Sequence, residues 1–538
     1  MNASQDKTLS QGTTADGAPR AGTLSNRAKG RGSRPGLWPV VLICTLVAAF
    51  ALVPLGYVVA ATANTGWDTI VKLVFRPRVG ELLLNTLSLV LITVPLCVVI
   101  GIGGAWLVER TRLSGHKAWS VLLAAPLAIP AFVNSYAWVS AIPSLGGVFG
   151  GVLISVLSYF PLVYIPVAAV LSRLDPALEQ SGASLGLGPW RVFFRVVLPQ
   201  LRLATAGGAL LVSLHLLAEY GAFAMITFDT FTTAIYDQFR STFNGAAANM
   251  LASVLVLFCL LLLLAESKTR GSARYARVGA GVQSNPRRLD LGFWQIPGQL
   301  ALIGVSVLAL GVPLWHVGRW LIAGGSAIWE RTDLLDALLA TLGYGLAGAV
   351  VTTLLAFPLA YLVIRHPGPV SKLLEAVNYI SSSMPGIVVA LALVTITVHN
   401  LPVIYQTSVV LVAAYALLFM PRALVNLRAG LAQVPPTLDE AAQALGKPPL
   451  VAFLRVTLRL SAPAAAGGAA LVFLGIVNEL TATLLLAPNG TRTLATQFWA
   501  LSSEIDYMGA APYALLMIVL SAPMTYLLFV QSKKAAGQ

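Results

Sequence analysis

Two glutamates stand inside runs that are otherwise apolar: Glu219 follows Leu216-Leu217-Ala218, and Glu479 follows Ile476-Val477-Asn478. A carboxylate in a membrane-length apolar run is costly and usually faces a cavity or a partner helix. Glu219 falls about fifteen residues into its run, ~22 Å above the cytoplasmic end at the helical rise, and Glu479 takes the same place in the other half of the chain. Two carboxylates converging at equal depth would attract a cation, above all a hard one that prefers oxygen ligands. Interhelical hydrogen bonding is the competing use. His215 precedes Glu219 by one turn on the same face, but Gly475 stands at its equivalent place, so a packed or helix-bonded histidine is the better reading. Asn134, Tyr136 and Tyr220 are further candidates for a polar pathway, although such side chains also bond neighbouring helices or anchor at the membrane interface.

The elements that must position these residues are membrane helices. Hydrophobic residues make up 57% of the 538 and charged ones only 10%, with a mean hydropathy of +0.79, which excludes a soluble surface. Runs of about 20 apolar residues recur. They predict twelve spans, near 37–61, 84–107, 118–142, 147–172, 203–227, 248–265, 293–315, 337–364, 373–398, 405–427, 463–487 and 509–531. Of the 35 Lys and Arg, only 7 fall in the odd-numbered loops, so both termini and the even-numbered loops are expected in the cytoplasm. That asymmetry accounts for the net charge of +14 without any nucleic-acid partner. Cys44, Cys97 and Cys259 lie inside apolar runs and imply neither a disulfide nor a metal site.

An internal repeat runs through the chain. Asn85-Thr86-Leu87 corresponds to Ala340-Thr341-Leu342 and Pro130 to Pro385 at an offset of 255; Leu185-Gly186 matches Leu445-Gly446, Gly207-Gly208 matches Gly467-Gly468, and Glu219 matches Glu479 at 260. Six spans in each half give the two copies the same orientation, related by an axis along the membrane normal. The expected organisation is a disordered basic tail (1–36), a first six-span repeat (37–266) with a cytoplasmic elbow at 175–199, a basic linker (267–292), a second repeat (293–532) with its elbow at 435–459, and a short tail (533–538).

Each elbow reads as helix, glycine turn, helix. Asp175 with Pro176, and a Thr437–Glu440 capping box, mark the starts. Gly186 and Gly446 stand where a C-terminal cap belongs, with Pro189 and Pro448-Pro449 beyond. A second short helix then spans Trp190 to Leu198 and Leu450 to Leu458.

This doubled motif resembles the signature of the permease subunits of binding-protein-dependent ATP-binding cassette importers, which is Glu-Ala-Ala followed by a Gly and a later Leu-Pro. Glu440-Ala441-Ala442 and Gly446 reproduce it; the first copy reads Gln180-Ser181-Gly182 with Gly186, and keeps Leu198-Pro199 where the second has Leu458-Arg459. The resemblance implies an all-α type I importer permease with two parallel six-helix repeats in the bacterial inner membrane. It makes Glu179, Gln180, Gly182, Leu185, Gly186 and Arg195, with Asp439, Glu440, Ala441, Ala442, Leu445, Gly446 and Arg455, the residues that couple to two ATPase subunits. A periplasmic or lipid-anchored binding protein would deliver the substrate. No G-x-x-x-x-G-K-[ST] run occurs, so ATP is expected to be used by the partner and no cofactor bound by this chain. The segment Leu217–Phe223 with Phe228–Gln238 resembles the ferric-iron branch, with Glu219 and Glu479 as transient Fe(III) contacts and Tyr220, Tyr236 and Asp229 as chemically suited neighbours. Thiamine or aminoethylphosphonate import shares the fused architecture. A secondary transporter using the Glu pair is a further alternative, but it has no need of two docking elbows.

Overall fold

A computed structural model describes residues 38–172, 174, 176–270, 288–330, 332–381 and 383–535. The expected N-terminal tail, Asp175, most of the linker and the last three residues lie outside them. Two units separate: Met1–Pro39, of which only Trp38 and Pro39 are described, and Val40–Gln538, which holds every contact discussed below.

The described chain is helical throughout. Ten helices are long and apolar enough to cross a membrane: Trp38–Thr65, Pro77–Arg110, Gly147–Leu171, Trp190–Ala218 and Gly245–Ala265 in the first half, and Gly292–Gly324, Asp333–Arg365, Ser408–Ala432, Pro449–Val477 and Tyr507–Gln531 in the second. Two helix pairs complete the twelve, His116–Ala128 with Ala131–Ala141 and Pro369–Ser381 with Gly386–Asn400, bent by 92° and 96°. These are the third and ninth spans, and Pro130 and Pro385 stand at the breaks as the N-caps of the second limbs. A proline there cannot donate to the preceding turn, and it forces the residue before it out of the helical region.

The fifth and eleventh spans differ from expectation at both ends. Each starts earlier, because the second elbow helix runs on into the span through a π-helical turn, Phe193–Val197 and Phe453–Thr457. Pro199 is not the cause, since Arg459 holds that place in the other copy. Each also stops earlier, at Ala218 and Val477, and a short helix follows, Gly221–Met225 or Thr481–Leu486.

The halves interlock. Trp320 in the seventh span donates its indole N–H to Ser140 at 2.7 Å, and Ser381 at the break of the ninth donates to the Ala51 carbonyl of the first. The first span of each half thus leans on the bent span of the other. Phe132, Tyr136 and Tyr220 form one buried core with Leu480, Phe498, Tyr513 and Met517 across the same interface. Within each half, glycines let helices approach. A Cβ at Gly208 would fall 2.8 Å from Val163 Cα and 2.9 Å from the Leu162 carbonyl, whereas at Gly468 the nearest atoms are Asn426 Cβ at 3.3 Å and Ala423 Cα at 3.4 Å.

A Cβ under 3.0 Å from backbone forces the helices apart, whereas 3.3–3.4 Å needs only a slight adjustment, so Gly208→Ala is expected to destabilise by roughly 1–3 kcal/mol and Gly468→Ala by less than about 1 kcal/mol. Thermal unfolding of the detergent-purified protein checks the order; equal losses would contradict the packing described.

Candidate functional site

The break after the fifth helix decides where Glu219 points. Its backbone has left the helix (φ −74°, ψ 123°), and its carboxylate Oε1 accepts the Ala222 N–H at 2.9 Å, one of the free donors at the start of the next short helix. Glu479 repeats the arrangement, with Oε1 accepting the Ala482 N–H at 2.9 Å. Both carboxylates are half-buried and lie within electrostatic range of each other across the interface between the halves. The structure therefore brings the sequence-predicted pair together, at helix ends rather than inside helices.

The two are not equivalent. Tyr159 donates its hydroxyl to Glu219 Oε2 at 2.5 Å, so both oxygens of Glu219 are satisfied by protein. Phe419 stands at the equivalent place in the second half, and among the described residues no side chain donates to the Glu479 carboxylate, although Thr483 Oγ1 donates to its backbone carbonyl at 2.8 Å. His215 packs beside Tyr159, ring centroids 5.4 Å apart, and shares a ring nitrogen with the Leu211 carbonyl at 2.8 Å, the helix-bonded arrangement expected of it. Among the described residues no group of three or more His, Cys, Asp and Glu side chains is placed to hold a metal ion.

The other pathway candidates belong to packing. Asn134 donates to Ser158 at 2.8 Å, and Tyr136, fully buried, donates to the Tyr507 carbonyl at 2.6 Å. Tyr220 is buried between Tyr236 and Trp499, 4.5 and 5.4 Å away. Asp229 is paired with Arg78 at 2.7 Å. The second half pins the equivalent segment with reversed charge, Arg492 on Asp333 at 2.5 Å.

The elbows form as glycine-capped helices. Gly186 and Gly446 have φ of 80° and 82°. Gly186 N–H reaches the Ala183 carbonyl and Leu187 N–H the Gly182 carbonyl, at 2.9 and 3.2 Å; Gly446 to Gln443 and Lys447 to Ala442 repeat both bonds at 2.9 and 3.1 Å. The capping box expected from Thr437 and Glu440 is not used: the helix Pro436–Ala444 starts after Pro435, with no side-chain cap.

Two acids expected to face a partner turn inward instead. Glu179 pairs with Arg110 at 3.0 Å and Asp439 with Arg365 at 3.7 Å, so each elbow is tied to the end of the second span of its own half. Thr457 also donates to Asp439 at 2.5 Å. Burial pushes the Glu179 carboxyl above its usual range, and the Arg110 guanidinium pulls it back. Beside this clamp the chain leaving the linker is anchored, with Leu289 N–H on the Arg110 carbonyl at 2.8 Å and Arg112 N–H on that of Leu289 at 2.9 Å. The outward faces hold Gln180, Leu185 and Arg195 in one copy, and Glu440, Ala441, Leu445 and Arg455 in the other. Ala442 is half-buried and Gly182 buried. Leu185 and Leu445 are 84% and 83% exposed, Trp190 and Leu450 66% and 68%. Large apolar groups bared so evenly at equivalent positions mark an interaction surface.

Sequence reasoning passed over Tyr159, the clamp arginines Arg110 and Arg365, and Arg422. The last has a signal in the sequence: an arginine inside the apolar run 405–427, opposite Leu162 in the first half.

A duplicated helical core, an acidic pair at its two-fold interface and two matched elbows define a multi-pass membrane permease that works with separate partners. The chain belongs to the binding-protein-dependent transport system inner membrane components, whose family model matches residues 53–266 and 348–536. It is 35% identical over 501 residues to the Fe(3+)-transport system permease protein FbpB 2 of Haemophilus influenzae, covering 92% of this chain and 98% of the relative. To the ferric transport system permease protein FbpB of Actinobacillus pleuropneumoniae it is 25% identical over 391 residues, 69% of this chain and 57% of the relative. Against the sulfate transport system permease protein CysW of Escherichia coli K12 it is 27% identical over 208 residues, 36% of this chain and 72% of the relative. The protein is thus the permease component of a binding-protein-dependent importer, a transport component whose family works with a substrate-binding protein and ATPase partners.

Removing Arg110 leaves Glu179, 23% exposed, without its counter-charge. Arg110→Leu is expected to cost about 2–3 kcal/mol, below the full value for a wholly buried pair, and Arg110→Leu with Glu179→Leu less than that. A double-mutant cycle on thermal stability measures the difference; additive losses would mean the pair is not coupled.

Proposed function

We propose that this permease carries ferric iron inward across the bacterial inner membrane, with both termini and both elbows in the cytoplasm. The observation behind the cation is the paired carboxylates at the two-fold interface, one of them with no side-chain donor. The choice of iron rests on the similarity to the Haemophilus influenzae Fe(3+) permease across nearly the whole chain.

Substrate arrives from a periplasmic or lipid-anchored binding protein at the outer ends of the spans. Two ATPase subunits engage, one per elbow. Their closing pulls the elbows together, and the clamps Arg110–Glu179 and Arg365–Asp439 pass that displacement to the second and eighth spans. The glycine turns at Gly186 and Gly446 matter because a lever must be stiff. The carboxylates offer oxygen ligands to the ion in transit, and a transit site must bind weakly enough to let go. ATP is used by the partners, and the chain itself holds no cofactor.

Gly446→Val forces a β-branched residue into the left-handed region, at about 1–2 kcal/mol. ATPase activity in reconstituted vesicles should persist while iron uptake falls at least about fivefold; unchanged coupling would remove the elbow turn from the mechanism. Glu479→Gln is expected to lower uptake of radioactive Fe(III) more than Glu219→Gln, because only the Glu219 carboxylate is also held by a side-chain donor, the Tyr159 hydroxyl. Sulfate, thiamine and aminoethylphosphonate run in parallel: loss of one of these with iron uptake intact would overturn the assignment of iron.

A further inference from the structure

Arg422 stands in the tenth span, ten residues before its end at Ala432. The acidic pair lies slightly further out. A Cβ at Gly386 would meet Glu479 Oε1 at 3.1 Å and Leu418 Cδ1 at 3.8 Å, which puts that carboxylate beside the Leu418 side chain. Arg422 is four residues, ~6 Å, nearer the elbow end. Gly475, the counterpart of His215, leaves it room: a Cβ there would fall 2.5 Å from Arg422 Nη1. The guanidinium lies over the Phe419 ring, 4.8 Å from its centroid.

Three facts set its role. Arg422 is exposed although it sits deep in a span. Its electrostatic partners are His215 in the first half and Glu479 in the second, so it faces the centre between the halves and not the lipid. Among the described residues its guanidinium makes no ion pair within 4 Å and no hydrogen bond to protein. The first half has Leu162 in its place, so this positive charge is one-sided.

A pair of carboxylates in a medium of low dielectric holds a multivalent cation strongly. A transit site, however, must bind weakly enough to let go. We propose that Arg422 governs release from the pathway: its fixed positive charge, one step toward the elbows from Glu479, keeps the acidic pair from retaining a multivalent cation. The inference rests on the reading of the Glu pair as part of the pathway.

The test uses the full transporter with its ATPase and binding protein. Fe(III) supplied as the nitrilotriacetate complex is offered to the detergent-purified assembly, which is then desalted and assayed for bound iron; uptake is measured in proteoliposomes. Arg422→Gln should retain iron that the unmodified assembly does not, with kcat and KM for uptake both lowered by about tenfold. Arg422→Gln with Glu479→Gln should lose the retained iron, and Arg422→Lys should recover most of the rate. No retained iron, an unchanged KM and an Arg422→Lys as impaired as Arg422→Gln would overturn the proposal and assign Arg422 to packing on Phe419. Uptake unaffected by Glu479→Gln would instead overturn the pathway reading beneath it, whereas uptake lost with Glu479→Gln but no iron retained by Arg422→Gln overturns this inference alone.

Discussion

Hydrocarbon offers no hydrogen bonds, so a chain that breaks a helix within the bilayer must satisfy the freed N–H groups from its own side chains. Glu219 and Glu479 do this, each accepting from the third residue on, and the remainder of the interface depends on it. The bond allows the fifth and eleventh helices to stop at Ala218 and Val477 and the short helices to turn inward. There a Cβ at Gly221 would already fall 2.7 Å from Leu480 of the opposite half. A carboxylate serving as a cap is fixed in position without a salt bridge. It keeps its charge available to whatever passes.

Duplication made two such sites and divergence made them different. Tyr159 faces Phe419, His215 faces Gly475, and Leu162 faces Arg422. The first and last of these exchanges bear directly on the acidic pair: Tyr159 adds a side-chain donor to Glu219, and Arg422 sets a positive charge within electrostatic range of Glu479. Elsewhere divergence preserved the interaction while changing its parts: the ion pairs Arg78–Asp229 and Asp333–Arg492 hold the equivalent segment with reversed polarity.

The elbows show the same contrast between frame and surface. Turn geometry and the tie to the second span of each half are kept in both copies. The residues facing outward vary, Gln180 against Glu440 in particular, while the exposed Leu185 and Leu445 are held almost equal. A partner that grips both elbows meets the same apolar tip and a different charge.

Hydropathy and offset matching determined the twelve spans, the duplication, the glycine turns and the equivalence of Glu219 with Glu479. These are legible because membrane helices need a fixed length of apolar chain and because only glycine settles comfortably at positive φ. Tertiary structure alone decided the rest. A window of twenty residues averages over one or two, so it passes smoothly through the bends at Pro130 and Pro385 and the breaks at Glu219 and Asn478. The same averaging sorts basic residues into loops and loses Arg422. Direction is equally hidden: Glu179 and Asp439 read as docking residues beside exposed neighbours, but Arg110 and Arg365, some seventy residues away in the chain, turn them inward. A charged side chain goes to the opposite charge that the fold brings within reach, and that choice is made between elements, not along the sequence.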